Sequence, residues 1–218
     1  IGKDTRKSGD MLEAALTAGL CSMGAKVIPL GVVPTPAVAY LTRYYKADAG
    51  VVISASHNPC EYNGIKFFNS DGYKLSDGIE NEIESYILGE KAIEELPTHG
   101  KVGYVSANHN AVEDYVAFAV STIDCRLDGM KIAVDCANGA SYETAFKALN
   151  KLGANVEAIH NTPDGVNINH MCGSTHMESL QAYVTSIGAD IGIAFDGDAD
   201  RMLAVDENGK LIDGDQIM

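Results

Sequence analysis

Apolar and polar positions along the chain alternate between helical and strand-like spacing. SGDMLEAALTAGLCSMG, from Ser8, opens on Ser and Asp, repeats its apolar residues every three or four positions and closes near Gly24, which predicts a helix. KVIPLG predicts a short strand, and PTPAVAYLTRYY a helix with its prolines confined to the start. AGVVIS, a continuous β-branched run, predicts a central parallel strand. GIKFFNSDGYKL predicts two short strands around an Asn-Ser-Asp-Gly turn, followed by a helix from about Asp77 to Leu88. Residues 89–107, with Gly89, Pro97, Gly100 and Gly103 and little periodicity, predict an interdomain link. A second series then begins: AVEDYVAFAVSTI as helix, MKIAVDCA as strand, GASYETAFKALNKLG as helix, ANVEAIH as strand, THMESLQAYVTSIG as helix, ADIGIAF as strand, and MLAVDENGKLI as a hairpin. This rhythm predicts a mixed or parallel sheet with helices on both faces in each half. A chain of 218 residues has room for two such domains.

Composition narrows the function. Apolar residues make up 46% and charged residues 21%, the profile of a chain that buries a core. The formal charge is −14 and the 16 basic residues form no run, which argues against a nucleic-acid surface. Five cysteines without C-x-x-C spacing suggest neither a disulfide framework nor a zinc site, and the reduced cytoplasm is the natural compartment. No segment reads as a membrane span. With neither an initiating Met nor a signal-peptide pattern at Ile1, the chain is expected to be a piece of something larger.

In parallel α/β sheets, chemistry gathers in loops at the carboxyl ends of strands, and two loops stand out there. After AGVVI come Ser54, Ser56, His57, Asn58 and Pro59. Such a cluster can be a turn that satisfies its own backbone, or it can present a serine as nucleophile or phosphate carrier. G-x-S-x-G is absent, and the adjacent Ser56 and His57 point apart on an extended segment, so a hydrolase dyad is not suggested. The second loop, FDGDADR, follows IGIAF and places Asp196, Asp198 and Asp200 at alternate positions. Three carboxylates this close repel one another, and a hard cation, Mg²⁺ or Ca²⁺, relieves the repulsion. A calcium-binding module is the rival of another class, since Glu207 falls at position twelve of an EF-hand count. Position six, however, is Arg201 instead of Gly, and the flanks read as strands. Arg201, beside the carboxylates, is suited to holding a phosphate.

Taken together, SASHNP…NGIKFF and FDGDADR, with GKDTRKSG at the start and DGDQIM at the end, resemble the active-serine and metal loops of the α-D-phosphohexomutase superfamily. TPDGVNINHMCGSTHMESL resembles the corresponding segment of its bacterial phosphoglucosamine mutase branch; the phosphomannomutase and phosphoglucomutase branches are the alternative. The resemblance covers the whole chain. It implies two consecutive three-layer α/β/α domains with mixed sheets, residues 1–100 and 101–218, as the first two of four domains. It also implies an isomerase that interconverts glucosamine 6-phosphate and glucosamine 1-phosphate, through a phosphoserine and a bisphosphorylated sugar, for UDP-N-acetylglucosamine and peptidoglycan precursors. By motif position, Ser56 would carry the phosphate, and Asp196, Asp198 and Asp200 would hold Mg²⁺ together with a phosphoserine oxygen. Lys66 would move the proton, Arg201 and Arg6 would lie near the phosphoserine, and His57 would shape the loop. Ala199 stands where many relatives have glycine. The expected partner is a phosphorylated hexosamine, with neither nucleic acid nor membrane, and a homodimer through the first domain is expected. Without the sugar- and phosphate-recognition loops of the later domains, these 218 residues alone are expected to turn over little or no substrate.

Overall fold

The structure, a computed structural model, describes residues 1–93, 95–107 and 110–217. In chain order the elements are β1 (Gly2–Lys3), α1 (Ser8–Ser22), β2 (Lys26–Val27), β3 (Gly31–Val32), α2 (Thr35–Tyr44), β4 (Ala49–Ile53), β5 (Ile65–Asn69) and α3 (Asp77–Ile87). A 3₁₀ turn at His99–Lys101 leads to β6 (Tyr104–Val105), α4 (Ala111–Ser121), β7 (Lys131–Asp135), α5 (Thr144–Lys151) and β8 (Asn155–Ile159). A second 3₁₀ turn at Gly173–Thr175 precedes α6 (Glu178–Ile187), β9 (Ile191–Phe195), β10 (Met202–Asp206), β11 (Leu211–Ile212) and α7 (Gly214–Ile217).

Among the described residues the strands form two mixed sheets and one separate pair. The first sheet has the order β3-β1-β4-β5, with β4–β5 antiparallel and the remaining pairings parallel. The second has the order β11-β10-β9-β7-β8, parallel across β9-β7-β8 and antiparallel toward β11. The fold is therefore mixed α/β. No helix among the described residues is long and apolar enough to cross a membrane.

The central strands form where the sequence offers branched residues that packing can bury. Val51, Val52 and Ile53 of β4 are almost wholly buried, and each such side chain contributes about 1.5–3 kcal/mol by leaving water. Helix α2 covers this sheet with Val38 and Leu41. Its first turn accommodates Pro36, because an N–H there would have no intrahelical partner. In the second sheet, β7 alternates faces. Ala133 joins a cluster with Leu180 and Val184 of α6, while Ile132 and Val134 join another with Leu149 of α5. Both faces are thus covered. The two halves also meet through their helices: Tyr40 of α2 stacks on Phe118 of α4 with centroids 3.8 Å apart, and the Tyr45 hydroxyl at the end of α2 donates to Asp114 of α4 at 2.5 Å.

Several sequence expectations are corrected. KVIPLG is not one strand: β2 leaves to pair with β6, Pro29 lacks an N–H for a ladder, and β3 joins the first sheet. The expected link at 89–107 contributes β6, so it is partly structured; Glu94 within it lies outside the described residues. The second strand of GIKFFNSDGYKL shrinks to a single bridge, Phe68 to Lys74. The helix expected from Gly139 begins at Thr144, because Ala140 instead donates its N–H to Gly197 O at 2.8 Å. Likewise, the helix expected from Thr175 starts at Glu178 after the 3₁₀ turn. Met218, at the end of DGDQIM, lies outside the described residues.

Gly50 sets how closely α2 approaches β4. A Cβ there would lie 2.1 Å from Thr42 Oγ1 and 3.3 Å from Thr42 Cβ. Gly50→Ala should cost about 1–3 kcal/mol by overpacking, seen as a fall of several degrees in thermal midpoint, and Thr42→Ala in the same chain should recover most of it. An unchanged midpoint for Gly50→Ala would show that α2 yields freely.

Candidate active site

Strand β4 ends at Ile53 and hands the chain to a loop held by its own hydroxyl. Ser54, buried, donates Oγ–H to Asp4 Oδ2 at 2.5 Å and accepts the N–H of Ser56 at 2.9 Å. Ser56 then takes a left-handed backbone, φ +53°, which costs a non-glycine residue about 1–2 kcal/mol. Other contacts must hold it there. Across the gap, β9 and β10 are joined by the aspartate loop, whose turn closes through Ala199 N to Asp196 O at 3.0 Å. Ala199 is itself left-handed, φ +53°, so glycine would fit this position with less strain.

The two loops meet atom to atom. Ser56 Oγ donates to Asp196 Oδ2 at 2.7 Å, and Arg201 Nη2 lies 2.5 Å from Ser56 Oγ and 2.6 Å from Asp196 Oδ2. The same guanidinium nitrogen reaches His57 Nδ1 at 2.7 Å. Because arginine only donates, His57 Nδ1 is the acceptor in that pair. Lys66, on β5 beside the serine strand, places Nζ 2.8 Å from Asp198 Oδ2 and 3.9 Å from Asp200 Oδ2. Ser56, His57, Lys66, Arg201 and the three aspartates are thus brought together.

Arg6 is not at that surface. Its buried guanidinium donates to Asp4 Oδ2, to the carbonyl of Tyr62, and to the carbonyls of Ser56 and Asn58. It lies beside the serine loop as expected, with Nη2 3.1 Å from Ser56 O, and supports that loop from beneath, because burial directs its donors to backbone carbonyls that would otherwise be unpaired.

The carboxylates differ in environment. Burial pushes Asp198 up, but hydrogen bonds from Lys66 and Thr35 outweigh it and hold the group below the ordinary carboxylate range. Asp200 is raised, first by burial and then by repulsion from Asp198 and Asp196. One carboxylate atom each from Asp196, Asp198 and Asp200 lies within 4.8 Å of the others. Asp198 Oδ1 is buried with no hydrogen-bond partner. A buried oxygen without a donor, among converging carboxylates, fits a hard cation, which oxygen ligands suit.

Sequence reasoning missed Asp4, Thr35 and Asn169, and it left Ser54 as one member of the serine cluster without its role of holding Ser56 N–H. Thr35, at the start of α2, donates Oγ1 to Asp198 Oδ2 at 2.7 Å and its backbone N–H to Asp198 O at 2.9 Å. Its signal, a threonine between two prolines, is that of an ordinary helix start. A second grouping of metal-binding residue types, Asp135, His160 and Cys172, also went unnoticed. Here the donors are already satisfied: Asp135 accepts the N–H groups of Ala137 and Gly173 and the ring of His160 at 2.9 Å. Burial pushes the Cys172 thiol up to about 12. The grouping is a brace that holds residues 160–173 against the end of β7.

A serine at a strand end, facing a carboxylate loop and flanked by two cations, defines as a class an α/β site able to handle a phosphoryl group. The description "Phosphoglucomutase/phosphomannomutase, alpha/beta/alpha domain I" matches residues 1–94, and "domain II" matches residues 111–209. The chain belongs to this phosphoglucomutase/phosphomannomutase family. It is 64% identical over 218 residues to the phosphoglucosamine mutase of Acetivibrio thermocellus and 63% identical to that of Ruminiclostridium cellulolyticum. All of this chain matches 49% of each, so it spans about half the length of these curated relatives. A crystal structure of a phosphoglucomutase/phosphomannomutase family protein from Burkholderia thailandensis superposes with TM-score 0.81 at 29% identity, covering 97% of this chain and 46% of that one.

The brace titrates. The hydrogen bond to Asp135 raises the His160 pKa against the lowering effect of burial. A raised folded-state value means the charged pair's stabilisation is complete below the ordinary histidine value of about 6.5 and fades as pH rises through the raised one. His160→Gln should therefore lower the thermal midpoint more at about pH 5.5 than at about pH 8.5. An equal loss at both would show that the ring's charge contributes nothing.

Proposed function

We propose that this chain supplies the serine and metal loops of a phosphoglucosamine mutase, with residues 1–100 and 101–218 as two successive domains. The observation that carries the reading is Ser56 Oγ, held 2.7 Å from an Asp196 carboxylate oxygen and 2.5 Å from Arg201 Nη2. The share of identical residues with phosphoglucosamine mutases favours glucosamine phosphates over other hexose phosphates as substrate.

In this reading Ser56 carries the phosphoryl group. Its P–O bond breaks as a sugar hydroxyl attacks, and the hydroxyl proton passes to Lys66, which enters this step as the neutral amine, having given up its own proton and its pairing with Asp198. The bisphosphorylated sugar reorients, and its other phosphate returns to Ser56, releasing the isomer with the proton restored. Arg201 orients the transferring group and offsets its charge, and His57, accepting from Arg201, fixes the guanidinium. Asp196, Asp198, Asp200 and a phosphoserine oxygen would hold Mg²⁺, which when bound neutralises charge on the serine oxygen and the transferring group. The expected compartment is the cytoplasm, and a dimer through the first domain is part of the same proposal.

Incubating the purified chain with glucose 1,6-bisphosphate and Mg²⁺ should add one phosphate by intact mass, and Ser56→Ala should add none. A phosphate that persists on Ser56→Ala overturns the assignment. Mg²⁺ at about 100 times its dissociation constant should stabilise the protein by about 2.7 kcal/mol, read as a higher thermal midpoint. Asp198→Asn should abolish that response. A full response in Asp198→Asn would mean the ion binds elsewhere.

A further inference from the structure

The carbonyl groups of Ser56 and Asn58 receive two separate donors. From the first half, Arg6 Nη2 donates to both. From the second half, Asn169 Nδ2 donates to the same two oxygens, at 2.8 and 2.9 Å. Asn169 lies in the irregular stretch between β8 and α6, in the segment NINHMCGSTH, and is 8% exposed. Its backbone is left-handed, φ +57°, a conformation asparagine tolerates better than most residues. Its N–H is anchored on Ala137 O at 2.9 Å. The stretch around it is fixed in turn: Gly173 N–H and His160 bond to Asp135, and Thr162 N–H donates to Asn138 Oδ1 at 3.1 Å. Space at this junction is closed as well. A Cβ on Gly197, in the aspartate loop, would lie 2.6 Å from both Asn169 Nδ2 and Ser56 O.

We propose that Asn169 is a positioning residue for Ser56, holding the strained serine peptide from the second half so that Oγ points at Asp196 and Arg201. The inference rests on Ser56 as the phosphoryl carrier for its consequence, although the clamp itself is a matter of geometry. Two carbonyls facing one carboxamide require its nitrogen there, so toward them the side chain acts as donor, and its Oδ1 is buried without a partner. Aspartate in its place would set a carboxylate oxygen against both carbonyls. Glycine would keep the left-handed backbone and remove the donor. A displacement of about 1 Å at a reacting atom can cost about 100-fold in rate, and Asn169 touches no group that reacts.

The test compares the unaltered chain with Asn169→Gly, Asn169→Asp and Asn167→Ala. The last is a control, because the Asn167 side chain bonds only within its own turn, to Thr162 O and Asp164 N–H. Hydrogen exchange in residues 54–60 should accelerate at least about tenfold in Asn169→Gly, while β4 amides and Asn167→Ala stay near the unaltered chain. Phosphate uptake by Ser56 from glucose 1,6-bisphosphate at saturating donor should fall about 10- to 100-fold in both Asn169 variants. The half-saturating donor concentration should stay within about twofold, a split that mere destabilisation would not give. Unchanged exchange at 54–60, or an unchanged maximal rate where the unaltered chain takes up phosphate, overturns the proposal. If the unaltered chain takes up none, the functional reading fails separately and the exchange result alone decides the role of Asn169.

Discussion

Three carboxylates that must share one small volume set the terms for the rest of this molecule. Asp196, Asp198 and Asp200 each place an oxygen within 4.8 Å of the others, and two of the three residues are buried. Like charges at that separation in a partly dry site are unfavourable unless cations answer them. The cations come from opposite halves of the chain: Lys66 from β5 of the first sheet and Arg201 from the residue just before β10 of the second. Electrostatic balance at the aspartate loop therefore requires the two halves to be docked. Thr35 reinforces the requirement by binding both the backbone and the side chain of Asp198.

Docking delivers the serine. Strand β4 is buried and β9 alternates buried with half-buried positions, and the loops at their carboxyl ends face each other, so Ser56 and Asp196 meet although 140 residues separate them. Each loop adds contacts from outside to the bonds it makes within itself. The serine loop stays left-handed through donors supplied by Arg6 and Asn169, and the aspartate loop packs so closely that Gly197 has no room for a side chain. Of the carboxylate oxygens in the aspartate loop, Asp198 Oδ1 is buried without a hydrogen-bond partner, at the place where a hard cation fits.

The chemistry-bearing loops were legible because their residue types are unusual for their surroundings: a Ser-His-Asn-Pro cluster after a β-branched strand, and three alternate aspartates after an apolar one. The central strands and most helices were legible for a related reason, since burial on two faces leaves continuous apolar runs. Elements stabilised by distant partners were not. Strands β1, β2 and β6 are two residues long and exist only because other segments pair with them. Thr35 and Asn169 carry residue types common in turns and caps, and their tasks depend on carbonyls and carboxylates far away in sequence. Arg6 shows the opposite limit. Motif position places it near the serine, where it lies, but that its donors meet the backbone carbonyls of Ser56, Asn58 and Tyr62 follows from burial and was not legible in the sequence.

In the proposed function, a phosphate on Ser56 and a cation on the aspartate loop share one site. The most direct measurement is the ³¹P resonance of the Ser56-phosphorylated protein during titration with Mn²⁺ as a paramagnetic substitute for Mg²⁺, alongside the same titration of Asp198→Asn. The account predicts that the phosphoserine signal broadens away at well below one equivalent of Mn²⁺ and persists in Asp198→Asn. A sharp phosphoserine signal in the unaltered protein at full Mn²⁺ occupancy would contradict it.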